Sequence, residues 1–264
     1  MQKTTHIYTP HDGSRDQIFS TVTELKSKGK KFLEKGRVVK RTTIEPLSHA
    51  LQLIKKTISD IVTAVEADSY ELYLTSDDKS NFRFGIAKTL PYKGNRTAPR
   101  PQHYGAIRDY LIEYHWAKVI CGEEADDAMG ARQSDDTVIV SIDKDMWQIP
   151  GRHYNFVTHE SQTIDELGYL RIAENRRKLY GGGDKWFFAQ MLLGDSADNI
   201  PGVAGYGPVN TFDLLYSLKS FAQLKKVVYA IYKEVGIVDR FLEVAQLLWI
   251  RHKHSENIVT RLGE

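Results

Sequence analysis

A single cysteine, Cys121, stands among 264 residues, so no internal disulfide can close and no cysteine-based zinc cage can form. That usage fits a reducing compartment such as a cytoplasm, and the habits of free thiols place Cys121 in the interior at a strand end. Long apolar runs are missing too. The stretch Phe241 to Ile250 is broken by Glu243 and Gln246 and falls short of the ~20 residues that span a bilayer. The chain therefore reads as soluble, with no membrane partner. Its opening, MQKTTHIYTPHDG, has no apolar core after its basic residue and does not read as a signal peptide. Internal repeats and low-complexity tracts are absent, and a net charge of +2 selects no partner by itself.

What is present is the composition of a globular protein, 41% hydrophobic and 27% charged, in a chain long enough for one large α/β domain or a core with a small module. Charge is unevenly spread. Basic residues gather at Lys26, Lys28, Lys30, Lys31, Lys35, Arg37, Lys40 and Arg41, and again at Lys88, Lys93, Arg96 and Arg100. Acidic ones gather between Glu123 and Asp145 and at Asp195 and Asp198. Separated patches of this kind suit a protein that holds phosphates with one and cations with the other.

Apolar residues at Leu47, Leu51, Ile54, Ile58, Ile61 and Val65 recur at helical spacing and predict a helix from Pro46 to Ala67. Strands are predicted at Glu71–Thr75, Val119–Cys121 and Thr137–Ile142, with a helix from about Glu123 to Arg132. Alternation of this kind implies α/β architecture with a mainly parallel central sheet flanked by helices, and ligands beyond the carboxyl ends of its strands. Asp77 and Asp78 follow the first strand; Glu124, Asp126 and Asp127 the second; Asp143 and Asp145 the third. From Gly181 the composition shifts: GGGD reads as a flexible joint at 183/184, and a helical C-terminal module follows at 184–264.

Carboxylates delivered to one sheet edge repel one another, so clustering them calls for cations. An all-oxygen donor set suits Mg²⁺ or Mn²⁺, and two such ions can activate water and stabilise a leaving oxygen in phosphodiester hydrolysis. Asp195 and Asp198, three apart, can share one helical-turn face; Gly202, Gly205 and Gly207 follow at once and can expose backbone N–H groups to a DNA phosphate.

GEEADD, SIDKD and LLGDSADNIPGVAGYGP, in this order and spacing, resemble the 5′ nuclease (flap endonuclease-like) family, and within it the 5′-3′ exonucleases of phages. The resemblance covers about Tyr73 to Leu215. It implies a PIN/5′-nuclease-like core at 1–183, a helical arch at about 93–116 and a C-terminal helix-hairpin-helix module. By it, Glu124, Asp126, Asp127, Asp143, Asp145, Asp195 and Asp198 match metal-binding acids holding two or more ions, with Asp77 or Asp78 as a further one. GVAGYG matches the helix-hairpin-helix, with K⁺ as an implied ligand. Tyr92, Lys93 and Arg96 match a Tyr-Lys…Arg group at the base of the arch: the two cations would contact the scissile phosphate and Tyr92 would stack on a terminal base. The activity so implied is metal-dependent cutting of DNA near a 5′ end, at a junction or flap, by a monomer working in phage replication or recombination in the host cytoplasm.

One departure concerns the start. Family members open with a hydrophobic strand ending in a metal-bridging Asp followed by Gly. HIYTPHDGS offers Asp12-Gly13, yet Pro10 and His11 interrupt a strand end there and the preceding residues are polar, so the alternative, a hairpin turn at Asp-Gly between THIYT and QIFSTV, is the favoured reading. On the hairpin alternative the first acid lies upstream of this chain, and a branched-DNA-binding relative with impaired catalysis becomes the rival. A transferase using Asp143 and Asp145 as a D-x-D pair is a third reading, which leaves the glycine hairpin unexplained.

Overall fold

A computed structural model describes residues 2–252 and 257–263. In chain order the elements are β1 (Gln2–Pro10), β2 (Gln17–Phe19), α1 (Val22–Ser27), α2 (Lys30–Leu33), β3 (Gly36–Ile44), α3 (Leu47–Ala64), β4 (Tyr73–Thr75), α4 (Arg83–Ile86), α5 (Tyr104–His115), β5 (Lys118–Ile120), α6 (Ala125–Arg132) and β6 (Val138–Val140). A 3₁₀ turn, Lys144–Gln148, leads to β7 (Gly151–Asn155), β8 (Glu160–Ile164), β9 (Tyr169–Ile172), β10 (Leu179–Gly182) and α7 (Gly183–Leu193). The short strands β11 (Gly194–Asp195) and β12 (Ile200–Pro201) follow, then α8 (Pro208–Leu215), α9 (Phe221–Glu234), α10 (Arg240–Leu248) and α11 (Ile258–Leu262). Two compact units result, Met1–Asp60 with Pro99–His115, and Ile61–Ala98 with Trp116–Glu264.

In the first unit β1 is the middle strand of an antiparallel sheet, β2-β1-β3. Tyr8 and Phe19 on one face pack with Leu25 of α1 and Phe32 and Leu33 of α2, and the Tyr8 hydroxyl donates to Phe32 O at 2.7 Å. Between β1 and β2 the chain turns at Asp12-Gly13: Gly13 takes φ +76°, and the Ser14 N–H donates to Asp12 Oδ1 at 2.9 Å. The hairpin alternative is thus the arrangement adopted. Strand β3 goes beyond the sequence reading, although RVVKRTTI carries the β-branched residues that favour one. The segment implied to form an arch contains the helix α5, twelve residues long.

The second unit holds the main core. Helix α7 is buried on every side, with Phe187, Phe188, Ala189, Met191 and Leu192 at 0% exposure, packed with side chains of α8, α9 and α10. GGGD, expected as a flexible joint, is instead a packed strand-to-helix corner. Gly183 has φ +62°, and a Cβ there would lie 2.7 Å from Glu166 O, so glycine is demanded by backbone conformation and close approach. The expected boundary at 183/184 falls at the start of α7, inside this unit.

The unit is mixed α/β, but parallel pairing among its described strands is confined to β4-β5 and β6-β7, in separate small sheets. The expected single, mainly parallel sheet is therefore not the hydrogen-bonded arrangement. Each of β4, β5 and β6 has only three residues. After the 3₁₀ turn the chain doubles back as the antiparallel hairpin β7-β8, whose corner is set by Asn155 Oδ1 accepting from Val157 N–H and Thr158 N–H. Cys121 is exposed, not interior, because β5 ends at Ile120 before reaching it. No described helix is long and apolar enough to cross a membrane.

Candidate active site

Three chain reversals within the second unit deliver the acids. β5 stops at Ile120 and α6 starts at Ala125, its first turn tied to β4 by the Ala125 N–H donating to Thr75 Oγ1 at 3.0 Å. This sets Glu124 and Asp126 beyond the strand ends. β6 runs into Ser141-Ile142-Asp143, where Asp143 caps the 3₁₀ turn by accepting from the Asp145 N–H at 3.0 Å. α7 ends at Gly194 in the tight pair β11-β12, which carries Asp195 and Asp198, the former accepting from the Ala197 N–H at 2.7 Å. Glu124, Asp126, Asp143, Asp145, Asp195 and Asp198 line one cavity, together with Tyr92, Lys93 and Arg96.

The basic segment is held against these acids by its backbone. Lys93 takes the left-handed conformation, φ +54°, and its N–H donates to Asp198 O at 3.0 Å. Asn95 Nδ2 donates to Ser196 O at 2.6 Å and Asn199 Nδ2 to Pro91 O at 2.9 Å. An unfavourable φ at a non-glycine residue is kept only where surrounding contacts over-determine it. So placed, the Lys93 ammonium pairs with Glu124, and Arg96 donates to Asp198 Oδ1 at 2.6 Å. Tyr92 departs from its expected role. Its ring is 4% exposed, edge-on to Phe84, and cannot stack on a base; its hydroxyl donates to Asp198 Oδ2 at 2.8 Å and contacts Glu124 Oε2 at 3.1 Å.

Three acids stand apart from the cavity. Asp127 is 1% exposed and grips Arg83 through two bonds, at 2.6 Å and 2.9 Å, while also accepting from the backbone N–H groups of Glu124 and Arg251. Those four bonds use the lone-pair directions of an ionised carboxylate. Asp127 is therefore corrected from metal acid to structural anchor. Asp78 is exposed and accepts from the Ser80 N–H in its own loop, and Asp77, also exposed, does not line the cavity.

Several cavity residues escaped the sequence reading. Gln190 Nε2 donates to Asp145 Oδ1 at 2.6 Å, and Gln148 Nε2 donates to Gln190 Oε1 at 2.7 Å and to Leu248 O at 2.9 Å. Lys144, outside the cavity lining, pairs with Asp145 at 2.9 Å. One signal was available for Gln190, a lone amide inside the apolar run WFFAQMLL, since such a group needs a partner when buried. None marked Arg83, whose partner lies 44 residues away.

The electrostatics are those of crowded anions. Burial, then the charges of Glu124, Asp143 and Asp127, push Asp126 up to about 7. Burial likewise raises Asp145 to about 6, against the pull of Lys144 and with added repulsion from Asp143 and Asp195. Among the described residues no three His, Cys, Asp or Glu side chains converge into a cage closing on one ion. The donor set itself, all carboxylate and in electrostatic excess, fits hard divalent cations that retain waters. Because folded Asp126 binds its proton more tightly than an unfolded aspartate near 3.8, its contribution to stability falls as pH rises across that interval. In EDTA, the melting temperature of wild type minus that of Asp126→Asn should fall between about pH 4 and pH 7 and level off above that. A difference that rises over that range would contradict the crowding.

The glycine segment runs from β12 to α8. Gly202 approaches α7 so closely that a Cβ would sit 2.4 Å from Leu193 O, whereas Gly205, at φ +87°, and Gly207 face open space. Gly207 caps α8 without a side-chain bond, and Pro208 opens the helix.

No family model matches the chain. Flap endonuclease Xni of Shewanella baltica is 32% identical over 140 residues, 50% of this chain and 52% of that protein, so the chain spans about half the length of the curated relatives it matches. A 5′-3′ exonuclease of Buchnera aphidicola is 32% identical over 191 residues, 68% of this chain and 63% of that one. Among solved structures, the T5 D15 protein co-crystallised with metal ions is similar with a TM-score of 0.44 and 18% identity, over 73% of this chain and 84% of that one. By its sequence relationships this chain is a homologue of the 5′ nucleases, the flap endonucleases and 5′-3′ exonucleases.

Proposed function

We propose that the chain is a divalent-metal-dependent 5′ nuclease that hydrolyses DNA phosphodiesters near 5′ ends, at a single-strand/duplex junction or flap, in replication or recombination. The observation carrying this reading is one cavity lined by six carboxylates from three chain reversals, with Lys93 and Arg96 at its wall. Glu124, Asp126, Asp143, Asp145, Asp195 and Asp198 would hold two or more Mg²⁺ or Mn²⁺ ions. Such ions, when bound, supply charge neutralisation for the phosphodiester and a more acidic attacking water.

The chain's own residues do the rest. Gln190 and Lys144 aim Asp145, and Tyr92 aims Asp198. Lys93 and Arg96, now paired with Glu124 and Asp198, are placed to turn to an incoming phosphate and offset charge developing on it. The open backbone at Gly205 and Gly207 is suited to a DNA phosphate, with K⁺ as a companion ion. A 5′-labelled duplex and a flap substrate, with Mg²⁺, with Mn²⁺ and with EDTA, test the assignment: product in the first two only is expected.

Lys93→Ala should lower kcat by about 10²-fold, the scale of removing one preorganised charge-stabilising donor, with a smaller change in DNA affinity. Single-turnover rates beside a binding isotherm measure the split, and an effect confined to binding removes the proposed role.

One observation favours a second reading, a branched-DNA-binding relative with impaired catalysis. Asp12, the N-terminal acid weighed as a metal bridge, is engaged in its own hairpin turn. Intact binding to flaps with no product under either metal would establish that reading instead.

A further inference from the structure

Lys93 is held in a costly conformation. The Gly94 N–H donates to Pro91 O at 2.9 Å and closes a turn whose third residue is Lys93, at φ +54°. A positive φ at that turn position is the habit of glycine or asparagine. Lysine lacks the short side chain with which asparagine supports such a backbone. The conformation must be imposed from outside the turn.

The outside contact is the loop 195–199. Asn199 Nδ2 donates to the same Pro91 O at 2.9 Å, so one carbonyl takes both the closing bond of the turn and an amide of the opposite loop. The Lys93 N–H returns a bond to Asp198 O at 3.0 Å. Asn95 Nδ2 adds another to Ser196 O at 2.6 Å, but it acts one residue beyond the turn. The turn itself therefore rests on Asn199, which sits at φ +63°, a value that asparagine tolerates better than most residues with a side chain.

This clasp fixes spacings that the proposed reaction uses. Asp198 takes the Tyr92 hydroxyl at 2.8 Å and Arg96 at 2.6 Å, and the Lys93 ammonium lies 3.8 Å from the same carboxylate. Ion pairs between the two segments can exchange partners when a phosphate enters. An amide-to-carbonyl bond has no such competitor in its charge, so it can keep the turn in place while the cations swing.

We propose that Asn199 is the positioning residue of Lys93: its amide holds the turn 91–94 against the loop 195–199, and the ammonium meets the phosphate from a fixed backbone. The inference rests on the reading of the chain as a 5′ nuclease and deepens it.

Asn199→Gly is the test, because glycine keeps the positive φ and removes only the amide. In single-turnover cleavage of a flap under Mg²⁺ it should be about tenfold slower, less than the ~10²-fold that a misplacement of ~1 Å costs, with flap affinity in EDTA unchanged. In a Lys93→Ala background the same substitution should slow cleavage by less than about twofold, since residues acting through one interaction are not additive. A merely structural residue loses the same factor in both backgrounds, and that result overturns the proposal.

A second measurement needs no cleavage. Amide hydrogen exchange followed by NMR should show the Lys93 and Gly94 N–H groups exchanging about fivefold faster in Asn199→Gly, the scale of one hydrogen bond. Asn199→Asp, which keeps the side-chain shape but turns the donor into an acceptor, should do the same. Unchanged exchange at both amides overturns the proposal, as does an equal acceleration throughout α7. If the wild type cuts nothing, the nuclease reading fails by itself and the exchange result decides the positioning.

Discussion

Asp126→Ala or Asp143→Ala is expected to reduce DNA cleavage by about a thousandfold or more, equivalent to ~4 kcal/mol of lost transition-state stabilisation, while DNA binding stays largely intact. Both carboxylates line the cavity; Asp126 is itself pushed up by the crowding, and Asp143 adds to that crowding at both Asp126 and Asp145. Removing either relieves repulsion in the cation-free chain, so the fold should tolerate the change; what is lost is a ligand for the hard cations on which cleavage is proposed to depend. Single-turnover cleavage under Mg²⁺ and a binding isotherm under EDTA separate the two effects. Wild-type rates in both variants would remove the metal assignment.

Arg83→Met is expected to cost about 3–5 kcal/mol of stability, the scale for leaving one member of a buried ion pair unpartnered. Arg83 and Asp127 are 2% and 1% exposed, and the guanidinium also donates to Leu247 O at 3.0 Å and Trp249 O at 2.6 Å. One side chain thereby clamps the start of α6, which carries Glu124 and Asp126, to the end of α10. Replacing both partners, Arg83→Met with Asp127→Leu, should recover part of the loss because no buried charge is left alone. Urea unfolding of the three variants measures this; a single-variant loss under about 1 kcal/mol, the range of exposed pairs, would show that the pair does not hold the site together.

These two results bear on residues that look alike in the sequence. Asp126 and Asp127 are neighbours in GEEADD, and spacing assigns both to cations. A helix turn sends adjacent side chains about 100° apart, so one faces the cavity and the other the core, and only the presence of Arg83 in that core decides which is which. Tyr92 makes the same point: its neighbourhood marks a functional segment, but whether the ring or the hydroxyl serves the site depends on burial against Phe84, which no local pattern reports.

Local chemistry was enough to define the helix Leu47–Ala64, the strand ends that carry acids, the Asp-Gly hairpin and the glycine segment before Pro208. Periodicity, turn residues and side-chain charge act over a few residues and are written along the chain. Which carboxylates share a cavity, how short the parallel strands are, and that Arg83, Gln148 and Gln190 support the site were decided by packing between segments tens to more than a hundred residues apart. Burial converts an ordinary polar side chain into a committed partner, and burial exists only once those segments have met.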